Sequence, residues 1–164
     1  MLYESTRGSL HKKTGAQAVI QGIAEDKGLY VPAQIPALPF ALKDMADQMK
    51  KGTVGYREVA QAVIGTFFDD FTEEEMGACI AGAYDKKFTA RDIVETKEAG
   101  GAHFLELYHG KTAAFKDMAL SILPYLMTTA CKKEGETSKI CILTATSGDT
   151  GKAALEGFAD VPGT

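Results

Sequence analysis

Between Phe104 and Phe158 the sequence alternates twice between a short apolar run and a longer stretch with helical spacing. Phe104-Leu105-Glu106-Leu107-Tyr108 reads as a strand and His109-Gly110 as the loop leaving it. Behind Lys116, residues Met118, Ala119, Ile122, Leu123, Leu126, Met127, Ala130 and Cys131 recur at three and four, the period of a helix with one apolar face. Pro124 is expected to kink that helix and Gly135 to end it. Ile140-Cys141-Ile142-Leu143 then forms a continuous apolar run, the pattern of a parallel strand buried on both faces. Thr144 to Gly151 is a loop of small residues, and Lys152 to Phe158 starts another helix. Strand, loop, helix, taken twice, admits few folds. It predicts an α/β sheet with crossover helices.

The chain before residue 85 has a different character. A short strand, Leu2 to Gly8, runs into a turn. Thr14 followed by Gln17 is a capping box for a helix that turns Ala18, Val19 and Ile23 inward and ends near Glu25–Gly28. Leu29 to Pro32 is a short extended piece, and three prolines between Pro32 and Pro39 make a connector. Leu42, Met45, Ala46 and Met49 share one helical face; Tyr56, Val59, Ala60, Val63, Ile64 and Phe67 share another. Thr72 with Glu75 is a second capping box, opening a helix whose buried stripe is Met76, Cys79, Ile80, Ala83 and Tyr84. Residues 1–85 thus read as a mostly helical domain. A short helix around Arg91 to Lys97 leads into the α/β part, residues 86–164.

Composition excludes several functions. A net charge of −4 argues against a nucleic-acid binder, which normally shows a basic face. No apolar run approaches the roughly 20 residues needed to span a bilayer, and the first residues lack the basic-then-apolar layout of a signal peptide. The three cysteines, Cys79, Cys131 and Cys141, have no metal-like spacing, so no metal is expected. Reduced thiols in a cytoplasmic protein are the simplest account.

In an α/β sheet of this kind both strand-to-helix loops emerge at the carboxyl edge, where ligands bind. The loop carrying Lys116 and the loop Ser147–Gly151 are therefore expected near each other. Lys116 has two readings: a solvated lysine in the first turn of a helix, or a buried amine that does covalent chemistry with a carbonyl. A free lysine has a pKa of about 10.4, which leaves roughly one amine in 2,500 unprotonated at neutral pH. The apolar residues Ala113, Ala114 and Phe115 and a helix N-terminus would raise that fraction. The second loop offers backbone N–H groups and the hydroxyls of Ser147 and Thr150 as an anion cradle, or else is simply a tight turn. It is not a Walker A loop, because only Asp149 and Thr150 separate Gly148 from Gly151. Taken together, a Schiff-base lysine facing an anion cradle suits an amino-acid substrate.

Four stretches carry a family resemblance. His109 to Asp117 resembles the pyridoxal-phosphate lysine motif of the threonine synthases, and Thr144 to Gly151 resembles their substrate loop. Ser5-Thr6-Arg7-Gly8 and Gly28-Leu29-Tyr30-Val31-Pro32 are similar to their N-terminal domain in order and spacing. The resemblance spans essentially the whole chain. Lys111 stands where a proline is common and Lys27 where a glycine is common. The resemblance implies the truncated start of a three-layer αβα fold type II pyridoxal-phosphate domain behind the helical one. It implies conversion of O-phospho-L-homoserine and water to L-threonine and phosphate, a carbon–oxygen lyase reaction of threonine biosynthesis. It places Lys116 as the cofactor lysine and proton carrier, with Phe115 and Thr146 also on the cofactor and Ser147, Gly148, Asp149, Thr150 and Gly151 on the substrate. Asp117 is expected to cap its helix rather than react.

In this family the cofactor's phosphate is bound by a glycine-rich loop far downstream, and no such loop is left unassigned here. The chain is therefore expected to be an N-terminal piece, inactive alone, holding the cofactor weakly and self-associating through unpaired strand edges. The alternatives are another β- or γ-eliminating lyase, such as a dehydratase, and a threonine-synthase-like protein that binds ligands without turnover.

Overall fold

The computed structural model describes residues 1–90 and 92–164. The elements run β1 (Tyr3–Ser5), α1 (Gly15–Gln21), β2 (Tyr30–Pro32), α2 (Leu42–Lys50), α3 (Tyr56–Phe67), α4 (Glu73–Tyr84), β3 (Glu95–Ala99), β4 (Ala102–Glu106), α5 (Asp117–Leu120), α6 (Leu123–Glu134) and α7 (Asp149–Phe158). This is a mixed α/β chain. Helix α4 is its centre. Thr72 and Glu75 cap it reciprocally, at 2.8 and 3.1 Å, and it buries Met76, Cys79, Ile80, Ala83 and Tyr84 as the spacing predicts. Burying a large apolar side chain contributes about 1.5–3 kcal/mol. That outweighs the roughly 1 kcal/mol that each of Gly77 and Gly82 costs inside a helix.

Around α4 pack Ala16 of α1, Ala60 of α3, and Leu126 and Ala130 of α6, in one cluster that crosses residue 85. Tyr84 seals it: its ring meets Tyr56 edge-on at 5.2 Å between centroids, and its hydroxyl donates to the Met118 carbonyl at 2.8 Å. Burial pushes the Tyr84 phenol well above its ordinary pKa, so it stays a donor. Helix α1 opens on the expected Thr14–Gln17 box, both bonds at 3.2 Å. β1 and β2 pair antiparallel with Tyr3 opposite Pro32. Asp26 gathers the loops beside them, accepting from the Ser5 hydroxyl (2.6 Å), the Gly28 N–H (2.9 Å) and the Ser9 N–H (3.1 Å). These donors, Ser5 foremost, hold its carboxyl below the usual range.

Several expectations are corrected. Helix α1 stops at Gln21, because Gly22 leaves the helical region at φ 72°; Ile23 then lies outside the helix and is exposed. The segment expected as a helix around Arg91 to Lys97 is instead strand β3 from Glu95 onward, with Arg91 itself outside the described residues. Its partner β4 ends at Glu106 rather than Tyr108, and the two form an antiparallel hairpin turned at Gly100–Gly101, not part of a parallel sheet. Pro124 does not kink a helix. It sits in the first turn of α6, where a missing N–H costs nothing, and the chain breaks into α5 and α6 before it. Ile140–Leu143 is not a strand and is not buried: among the described residues no strand pairs with it, and Leu143 is 95% exposed. A parallel strand needs neighbouring strands to satisfy its backbone, and among the described residues this run has only the Ile140 N–H bond to the Gly163 carbonyl, at 2.9 Å. Helix α2 likewise buries none of its residues. No helix among the described residues is long and apolar enough to cross a membrane.

Candidate active site

One buried carboxylate organises the loop that presents Lys116. Asp117 is 4% exposed, and its two oxygens accept from the Thr112 N–H (2.9 Å) and the Thr112 hydroxyl (2.6 Å). It therefore clasps the preceding loop and does not cap α5, as the sequence suggested. The clasp explains Gly110: a Cβ there would collide with an Asp117 carboxylate oxygen and lie 2.8 Å from its Cγ. Between the two, Ala113 bonds back to the Gly110 carbonyl at 3.1 Å and takes a left-handed φ of 53°.

Lys116 follows at the N-cap position of α5, with helical φ and ψ of −63° and −21°. Its surroundings are less apolar than expected. Ala114 turns into the core, but Phe115 is 61% exposed and Lys116 half-buried, with Nζ 4.8 Å from the Phe115 ring centroid. The neighbouring lysines are engaged, Lys111 with Glu156 at 2.8 Å and Lys152 with Asp149 at 3.1 Å. Among the described residues no carboxylate lies within ion-pair distance of Lys116. An amine without an ion partner, beside an open aromatic face, fits the aldehyde end of a pyridoxal cofactor.

The second loop is built by Thr146. Its hydroxyl accepts from the N–H groups of Gly148 (3.1 Å) and Gly151 (3.0 Å), which does the work of an N-cap for α7. The helix consequently begins at Asp149 rather than Lys152, so Asp149, Thr150 and Gly151 form its first turn. Ser147, Gly148, Asp149 and Thr150 are exposed and Gly151 half-buried. Ser147 and Thr150 present their hydroxyls to solvent at a helix N-terminus, where an anion is favoured.

Helices α5 and α7 meet at their far ends. A Cβ on Gly157 would overlap the Leu120 carbonyl oxygen and sit 2.9 Å from its carbon, so the backbones touch there. Lys87 donates to the Gly157 carbonyl at 3.0 Å with its ammonium over the Tyr125 ring, and burial lowers its pKa. The Lys111–Glu156 pair closes the same contact. At a rise of about 1.5 Å per residue, the start of α7 lies about 12 Å from Gly157. The structure thus joins the helices behind the two loops, while among the described residues no hydrogen bond or ion pair links Lys116 to Ser147–Gly151. Thr112, Lys87, Glu156 and Gly157 escaped the sequence reading; only the glycine, placed on the apolar side of α7, carried a signal.

The mixed α/β chain thus begins one helix at Lys116, which has no ion partner among the described residues, and another behind a serine–threonine loop. The family profile described as Threonine synthase N terminus matches residues 2–84. The threonine synthase of Corynebacterium glutamicum is 40% identical over 159 residues, covering 94% of this chain and 32% of its own length. That of Pseudomonas aeruginosa is 36% identical over 166 residues, covering 96% and 32%. A solved structure of pyridoxal-phosphate-bound threonine synthase from Brucella melitensis superposes with a TM-score of 0.83 at 33% identity, over 96% of this chain and 33% of that one. The chain belongs to the threonine synthase family, and its fold is the N-terminal part of that fold. It spans about a third of the length of the curated relatives it matches.

Proposed function

We propose that these residues supply the N-terminal third of a cytoplasmic threonine synthase, which converts O-phospho-L-homoserine and water to L-threonine and phosphate. The observation that carries this is the clasp Gly110–Thr112–Asp117, which holds an unpaired Lys116 at the start of α5. The match of residues 2–84 to the family profile supports it. Bound pyridoxal phosphate would supply the electron sink that lets a proton leave the substrate's Cα. Lys116 would hold the cofactor's aldehyde carbon until the substrate amine displaces it, and then carry protons at Cα and Cβ. Phe115 would bound the space beside that amine. Ser147 and Thr150 and the first N–H groups of α7 would fix the substrate's anionic end, with Asp149 and Gly151 shaping the turn and Thr146 holding it. The cofactor's phosphate would bind residues of a longer chain, so the 164 residues alone should not turn over.

The human protein named Threonine synthase-like 1 is also similar, 34% identical over 162 residues, covering 95% of this chain and 20% of its own length, and a protein that binds ligands without turnover is the alternative reading. Borohydride reduction of the longer protein with pyridoxal phosphate, followed by peptide mapping, should place the pyridoxyl group on Lys116. Lys116→Ala should abolish phosphate release from phosphohomoserine. Label on another lysine, or turnover without Lys116, would refute the mechanism; label without any turnover would favour the non-catalytic reading.

A further inference from the structure

The hairpin leading to His109 carries a side-chain group that the proposed reaction does not use. β3 and β4 place Glu95 directly opposite Glu106, so two carboxylates face one side of a two-stranded ribbon, which is unfavourable unless a cation offsets it. His109, three residues beyond Glu106, brings Nε2 to 2.8 Å from Glu106 Oε2. One ligand atom from each of Glu95, Glu106 and His109 lies within 4.8 Å of the others, and all three residues are half-buried. His109 is held firmly. Its carbonyl accepts from the Thr89 N–H (2.9 Å) and hydroxyl (3.1 Å), and its ring packs on Tyr108 at 4.8 Å between centroids.

We propose that Glu95, Glu106 and His109 form a site for a divalent transition-metal ion of the Zn2+ or Mn2+ class, clipping the hairpin to the base of the Lys116 loop. Two carboxylate oxygens and one imidazole nitrogen make a three-ligand set that leaves positions for water, and the imidazole disfavours Mg2+ and Ca2+, which prefer oxygen alone. Metal–ligand bonds of about 2.0–2.2 Å require the three atoms to close up, which rotation of the glutamate side chains allows. The competing cation is Lys97, whose Nζ lies 2.6 Å from Glu95 Oε2. Lys97 is exposed and the pair is open to solvent on that side, so it contributes little and a metal displaces it at small cost. None of this depends on the proposed reaction, and its test needs no turnover.

The metal-free 164-residue protein should be titrated with Zn2+ by calorimetry and with Co2+ by visible absorption, using Mg2+ for comparison. One equivalent of Zn2+ or Co2+ should bind, and Mg2+ should not compete at similar concentration. His109→Gln removes the imidazole ligand and should weaken binding by about tenfold or more; Glu95→Gln, on the edge of the hairpin, should do the same, and Lys97→Met should tighten it. Circular dichroism of each variant checks that the fold is retained, and the Glu95→Gln result stands if His109→Gln does not fold. Absence of stoichiometric binding would overturn the proposal. So would binding indifferent to Glu95→Gln, which marks an adventitious ion only, or binding lost with Cys141→Ser, which assigns the ion to the exposed thiol.

Discussion

Replacing Asp117 by alanine removes both acceptors of the Lys116 loop in one step. A hydrogen bond to a charged group contributes about 1.5–3 kcal/mol, so two of them set an upper limit of about 6 kcal/mol. Thr112 is only half-buried, and water would recover part of the loss for its N–H and hydroxyl. The expected destabilisation from the lost hydrogen bonds is therefore about 3–4 kcal/mol. Thr112→Val removes the hydroxyl alone and should cost about 1–1.5 kcal/mol. Because the two residues share one contact, the double variant should be about 1–2 kcal/mol more stable than the sum of the singles. Urea unfolding followed by circular dichroism measures all three, provided the m-values agree. A loss under about 1 kcal/mol for Asp117→Ala, with additive double-variant behaviour, would show that the carboxylate does not hold the loop.

Gly157→Ala should destabilise the protein by up to about 2 kcal/mol in the same assay: overpacking against the Leu120 backbone costs about 1–3 kcal/mol and helix propensity returns about 1. A net gain would mean that the α5–α7 contact is loose. Asp26 has a depressed carboxyl pKa in the folded state, so its contribution is complete above the ordinary value of about 3.9 and is lost as pH falls through the lower folded value. Asp26→Asn should therefore lower stability at neutral pH and flatten the acid limb below about pH 4; an unchanged limb would disprove the linkage. We also expect the exposed Ile140–Leu143 run to drive self-association, so Leu143→Glu should shift sedimentation toward the monomer, and an unaltered profile would exclude that run.

The helical half was legible because its signals are local. A cap and its partner lie three residues apart, and α4's stripe repeats every three or four, so Thr14–Gln17, Thr72–Glu75 and Met76–Tyr84 needed no distant information. The strands were misplaced for the opposite reason. Ile140–Leu143 has a strand's composition, but strand formation depends on a neighbour that no local pattern can supply. At the site, the motifs marked the loops that lead into α5 and α7. The Asp117 clasp was misread because an aspartate beginning a helix usually serves its own first turn, and only the fold shows Thr112 coming back to it. Thr146, expected on the cofactor, also accepts from the loop's own backbone N–H groups, which no local motif announces.

The contact at Gly157 has a mechanical consequence. Helix α7 is fastened near its last turn, by backbone contact, the Lys87 bond and the Glu156 pair, while its first turn carries Asp149, Thr150 and Gly151. With an arm of about 12 Å, a rotation of about 10° about that fulcrum carries the first turn through about 2 Å. In the proposed enzyme a displacement of that size would separate a clamped substrate from a released one. The fulcrum is fixed partly by Lys111, so the stiffness of this lever is set within the same loop that presents Lys116.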